Sequence, residues 1–413
     1  YKSFLNNTSH QQIIKNNMIG TLVKLLLGRL LPALVLLVAI FVGWCNMDPS
    51  YAWEARFFVV LIPLLKGYAP PMLFGHGKLG DPTTTPPVPE DLTPQPRPAQ
   101  ELFGTLAGTG DQMPLAGIGM CCRPTAADFV SVERTVEWFL MLGGRHIDGA
   151  HLYMNDPAIG RGIQNAIAKG IPRKEMFLTS KVYPTQFGYN ATTKVVESVL
   201  ADLGLDYMDL FLMHAPVHLI PGFGSAPAGC KGLTHKECRQ DTWRALSDLR
   251  TRGKIRNAGV SNFAIRHVKD ILELYDEDDG EHTKIIAPVT NNQIQWNPWA
   301  PVEWIETVAF CESQNIQITA WNSLGGAFEH HKAGTIEALT QLSQKKGRSV
   351  PQIMLRWALQ SGEAVIPGTG NPTYMQENLS IYEFQLTHFE MALIEGLRED
   401  LEGIMLGVVK SLD

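Results

Sequence analysis

Charge is scarce in this chain: Asp, Glu, Lys and Arg make up only 18% of its 413 residues and leave a formal net charge of −6. Such a balance gives a nucleic-acid backbone no reason to bind. Cysteine is sparse too. Cys45, Cys121, Cys122, Cys230, Cys238 and Cys311 form no C-x-x-C pair, so they read as reduced and mostly structural. Cys230 and Cys238 flank His235, but so loose a spacing argues little for zinc. His151, His214 and His218 lack the paired ligand pattern of a metal-dependent hydrolase. What the chain does have is apolar residue, 45% of it, enough for a large core. The length suits one barrel of about 250 to 300 residues plus extra segments, and no run suggests a second globular domain.

The longest apolar run, Leu25 to Cys45, is broken only by Arg29 and preceded by Lys15 and Lys24. A bilayer core needs about 20 such residues as a helix. The run predicts a transmembrane anchor at about 25–45, with Trp44, Tyr51 and Trp53 at the interface. A removable leader is the alternative, although its apolar region is usually only about 7 to 15 residues. A second run, Phe57 to Leu65, is too short to span, and Pro63, Pro70 and Pro71 discourage a continued helix. It reads as an interfacial or hairpin piece, so 1–74 forms a membrane-associated segment. Residues 75–100 carry Pro86-Pro87-Val88-Pro89 and Pro94-Gln95-Pro96-Arg97-Pro98, a semi-rigid spacer. These features predict membrane lipid as a partner and an organelle inner membrane or thylakoid as a setting.

From 101 to 413 strand-like and helix-like patterns alternate. Strands are expected at Pro114–Gly119, Arg145–Asp148, Met176–Lys181, Met208–His214, Asn257–Ser261, Thr290–Gln293, Gln317–Trp321 and Ala364–Ile366. Helices fall between them, including one at Thr242–Thr251 and one opened by Ser349-Val350-Pro351. Eight repeats of this kind close an α/β (β/α)8 TIM barrel. Active sites of such barrels lie at the C-terminal ends of the strands. Asp148, Lys181, His214, Ser261, Asn262, Gln293 and Trp321 all fall there, and Tyr153 follows shortly after Asp148.

These groups suit carbonyl reduction. Hydride arriving at a carbonyl carbon leaves charge on oxygen, which then needs a proton from a placed acid. A phenol with a pKa near 10 is a sluggish donor; an ammonium at Lys181 should lower that pKa, and Asp148 should keep the ammonium charged. His214 can orient the carbonyl oxygen.

The run Asp148-Gly149-Ala150-His151-Leu152-Tyr153, with Lys181 ending Phe-Leu-Thr-Ser-Lys and His214 ending Asp-Leu-Phe-Leu-Met-His, resembles the active-site signature of the aldo-keto reductases. The resemblance covers roughly residues 101–413. It implies catalytic roles for Asp148, Tyr153, Lys181 and His214, a small aldehyde or ketone as substrate, and NADPH or NADH as cofactor. It further implies that Ser261, Asn262, Gln293, Trp321, Asn322, Leu324, Thr369, Glu377 and Asn378 hold that cofactor. Gly368 and Tyr374 stand where the family commonly has a lysine and an arginine for the 2′-phosphate, so those charge-assisted contacts are missing. Ala215 replaces a tryptophan and should widen the substrate pocket. Some barrels of this family serve as accessory subunits of membrane proteins, which leaves a structural or redox-sensing role in a membrane complex as the alternative to turnover.

Overall fold

The computed structural model describes residues 93–121, 129–216, 228–275, 286–325 and 333–397. The apolar runs before residue 74 and the spacer up to residue 92 lie outside the described residues. Among the described residues no helix is long and apolar enough to cross a membrane.

A short antiparallel hairpin, β1 (Phe103–Thr105) and β2 (Gln112–Pro114), precedes the barrel. Eight parallel strands then follow in sequence order: β3 (Gly117–Gly119), β4 (His146–Asp148), β5 (Phe177–Val182), β6 (Met208–Met213), β7 (Ile255–Ser261), β8 (Val289–Gln295), β9 (Gln317–Trp321) and β10 (Ala364–Val365). Ala116 bridges Val365 in parallel, and Val365 N–H donates to Leu115 O at 2.7 Å, so the last strand meets the first. That seam needs a residue without a side chain. A Cβ on Gly119 would lie 2.7 Å from Ile366 O, closer than any real carbon sits.

Strands β5 and β6 are buried at every position, as expected of parallel strands covered on both faces. The cover comes from helices whose apolar residues recur at helical spacing. In α3 (Tyr189–Leu203), preceded by α1 (Phe129–Met141) and α2 (Asp156–Ala168), those residues are Val195, Val196, Val199, Leu200 and Leu203. The remaining helices are α4 (His235–Thr251), α5 (Ile265–Leu272), α6 (Val302–Ser313), α7 (Ala333–Lys346), α8 (Val350–Ser361), α9 (Pro372–Leu379) and α10 (His388–Gly396). Ser349 caps α8 reciprocally with Gln352 at the start that the sequence marks.

Two findings differ from the sequence reading. Helix α4 begins at His235, not Thr242, because Thr234 and Glu237 form a capping box that opens it earlier. That early start turns Cys238 back toward the 3-10 turn Ala228–Cys230, and the two sulfurs are bonded with their Cα atoms 5.3 Å apart. Cys121 is disulfide-bonded as well, so the cysteines are not all reduced; Cys311 is a buried free thiol.

The hairpin lies across the N-terminal ends of the strands. Thr109 donates to Asn257 Oδ1 at 2.6 Å, Asn257 donates to Asp111 Oδ2 at 2.8 Å, and Gly104 packs against Gln317. Residues from 93 onward also dock on the barrel: Gln95 N–H donates to Met141 O, and Pro96 O abuts Gly143.

Candidate active site

Parallel strands in register bring their C-terminal ends to one rim, so residues hundreds of positions apart become neighbours. Asp148 ends β4, Lys181 is the fifth residue of β5, and His214 follows β6 directly. Tyr153 closes a 3-10 turn, His151–Tyr153, whose exit is fixed by Met154 in the left-handed region at φ 54°. The Lys181 side chain is wholly buried. Its ammonium donates to Asp148 Oδ1 at 2.5 Å and to Gly149 O at 2.8 Å. Its Nζ also lies 5.3 Å from the centre of the Tyr153 ring. His214 sets its ring edge-on to Tyr153, centres 5.6 Å apart. The structure therefore brings all four sequence-selected residues together.

Burial outweighs charge in setting their protonation. Lys181 loses hydration, which alone would lower its pKa, yet Asp148 and Tyr153 more than compensate and hold it above the ordinary lysine value. The Tyr153 phenol is pushed up from 10 by burial, with Lys181 opposing and Asp148 reinforcing. This corrects the expectation of a net lowering: the neighbouring ammonium acts in the anticipated direction, but enclosure disfavours the phenolate more. His214 lies well below 6.5, through burial first and the Lys181 ammonium second, and is neutral near pH 7. Its Nδ1 is enclosed with no hydrogen-bond partner among the described residues. An orphaned acceptor costs less than an orphaned N–H, which favours the tautomer carrying its proton on Nε2.

The residues assigned to cofactor binding are partly engaged already. Ser261 Oγ donates to Gln293 O at 2.8 Å. Asn262, at φ 60°, donates from Nδ2 to His214 O and Ser261 Oγ, and its Oδ1 accepts from Trp321 Nε1 at 3.0 Å. That amide ties together the ends of β6, β7 and β9. Gln293 Nε2 donates to Asp148 Oδ2 at 2.7 Å. Asn322, at φ 51°, offers its carbonyl to Asn297, and Leu324 is half-buried beside it. Thr369, Glu377 and Asn378 sit apart from this group on the β10–α9 connection and on α9, where Thr369 Oγ1 accepts from Asn371 N and Glu377 accepts from Ser349. Gly368 and Tyr374 are exposed, and no Lys or Arg occurs between 362 and 380. Ala215 is fully buried.

Two residues of the site escaped the sequence reading. Tyr183, 6% exposed, sets its ring perpendicular to His214 at 5.7 Å. His146 lies one layer beneath Asp148, its ring nitrogens at Pro114 O and Thr179 Oγ1. Both stand two residues from a chosen residue, the spacing that keeps side chains on one face of a strand. Elsewhere, a cavity of about 190 Å³ opens at the N-terminal end beside Arg97, Asp209 and Arg256, where the charges already pair, Arg97 with Glu101 and Arg173 with Asp209.

Residues 116–399 match the family model described as the aldo/keto reductase family. The chain is 34% identical over 295 residues to the uncharacterized oxidoreductase YtbE of Bacillus subtilis, covering 71% of this chain and 91% of that one. It is 33% identical over 293 residues to glyoxal reductase of the same organism, covering 70% and 91%. Among solved structures, the Bombyx mori aldo-keto reductase in complex with NADP is similar with a TM-score of 0.60 at 29% identity, covering 73% of this chain and 93% of that one. On this match of sequence, barrel and assembled tetrad, the chain belongs to the aldo/keto reductase family.

Proposed function

We propose that this NAD(P)-dependent oxidoreductase reduces a small aldehyde or ketone, with Tyr153 delivering the proton. The observation that carries the reading is the assembly of Asp148, Lys181, Tyr153 and His214 at one rim, with the lysine bonded to Asp148 and its Nζ beside the Tyr153 ring. The residues present fit a nicotinamide. Gln293 Oε1 meets no donor among the described residues, and the indole of Trp321 is held flat-sided and half-buried by its bond to Asn262. When bound, the nicotinamide supplies the hydride.

The chain's own groups do the rest. His214 Nε2–H hydrogen-bonds the carbonyl oxygen and orients it. Tyr153 holds its proton near neutral pH because burial keeps its pKa high, and gives it up as the oxygen becomes basic. Lys181 then sits against the forming phenolate, and Asp148 keeps the ammonium in place. The glyoxal reductase relative favours a small, reactive aldehyde. The missing cations at Gly368 and Tyr374 leave both NADPH and NADH as reductants.

The test is turnover of NADPH and of NADH with a small aldehyde by the full chain and by Tyr153→Phe. Loss of an acid of this kind costs on the order of 10² to 10⁴ in rate, while cofactor binding, read by fluorescence quenching, should persist in the variant. Failure of the wild-type chain to bind either cofactor at millimolar concentration would favour the accessory-subunit alternative.

A further inference from the structure

Gln293 and Asp148 lie on β8 and β4, which are diametrically opposite in a ring of eight strands. Their side chains nevertheless meet across the interior at 2.7 Å. A carboxylate can only accept, so the amide nitrogen must be the atom facing Asp148, and the amide orientation is fixed. The base of the side chain is held as well, since Gln293 O accepts from both Ser261 Oγ and Asn262 N. Asp148 thereby has one donor on each oxygen: Lys181 on Oδ1 and Gln293 on Oδ2.

We infer that Gln293 is a positioning residue for the acid Tyr153. By occupying Asp148 Oδ2 it prevents the buried carboxylate from drawing Lys181 onto both oxygens, and so leaves one ammonium hydrogen for the phenol. Because the amide nitrogen faces Asp148, the Gln293 Oε1 is left off that carboxylate. The inference rests on the proposed function only for the role of Tyr153; the brace itself is read from the chain alone. The groups facing the phenol are few. Lys181 and Asp148 carry charge, while His214 beside Tyr153 and His146 beside Asp148 are held neutral by burial, and Tyr183 packs against His214.

The experiment is an ultraviolet titration of the Tyr153 phenol in the full-length, cofactor-free protein, with Tyr153→Phe as background. Gln293→Leu should raise the phenol's ionisation by about one unit and lower kcat about tenfold, beyond any change in cofactor KM. Gln293→Glu offers a second readout if the leucine variant folds poorly. Protonated, its carboxyl donates to Asp148 and keeps the brace; ionised, it repels Asp148, so kcat should fall with rising pH where the wild type stays level. An unchanged phenol titration in Gln293→Leu with only weaker cofactor binding, or a Gln293→Glu profile parallel to wild type, would overturn the inference. If Tyr153→Phe kept full turnover, the proposed function would fail while the titration still reported on the brace.

Discussion

Protonation in this barrel follows enclosure, and histidine shows it best. His146 and His214 are held below 6.5 chiefly by burial, and His267 is lowered to about 4 by burial together with Arg239 and Arg266. Because these folded-state values lie below the unfolded value, the unfolded chain gains protons first as pH falls through 6.5, and each histidine then favours unfolding. Glu390 acts in the same direction at lower pH, although its cause is hydrogen bonding and not burial. Held at about 2 although burial would raise it, by hydrogen bonds from Lys346, Thr387 and Lys345, it contributes stability above pH 4.5 and loses it only as pH approaches 2. Thermal melts should therefore show Tm dropping between pH 7 and pH 5, and His267→Gln should flatten that slope; equal slopes would contradict it. The sequence exposes Asp148, Lys181 and His214 at this scale because each is a polar group ending an apolar strand. It does not expose the Gln293 contact with Asp148, which spans 145 positions and exists only once the barrel closes.

Among elements, the eight strands and most helices are legible because period and turn residues agree locally. The exceptions are short or marked by a single cap. Hairpin β1–β2 has three residues a strand and mixed burial, so it offers no period to read. The early start of α4 depends on the Thr234–Glu237 box alone, and missing it hides the Cys230–Cys238 bond. That bond closes a loop with a sequence separation of 8, and in the chain-entropy view such a crosslink contributes about 2 to 3 kcal/mol. Behind it, Gly188 and Gly229 pack backbone to backbone, with Gly188 at φ 105°. Reducing the protein, or replacing Cys238 with Ser, should lower Tm by several degrees; melts identical with and without reductant would contradict the crosslink's contribution.

For the whole molecule, sequence and structure speak to different parts. The strands, helices and rim of the barrel rest on structure, whereas the run 25–45 rests on its composition alone. We expect the full chain to sediment with membranes and resist alkaline carbonate, and a chain starting at residue 93 to be released; equal partitioning would argue against a tether. Within the barrel, the hairpin covers part of one end through Thr109, Asp111 and Asn257. With that end covered and the interior filled by side chains, exchange with solvent falls to the opposite rim, where the strands end in polar groups. At that rim Gln293 is 3% exposed and His214 only partly exposed, so a molecule that reaches both must shed its water on the way in.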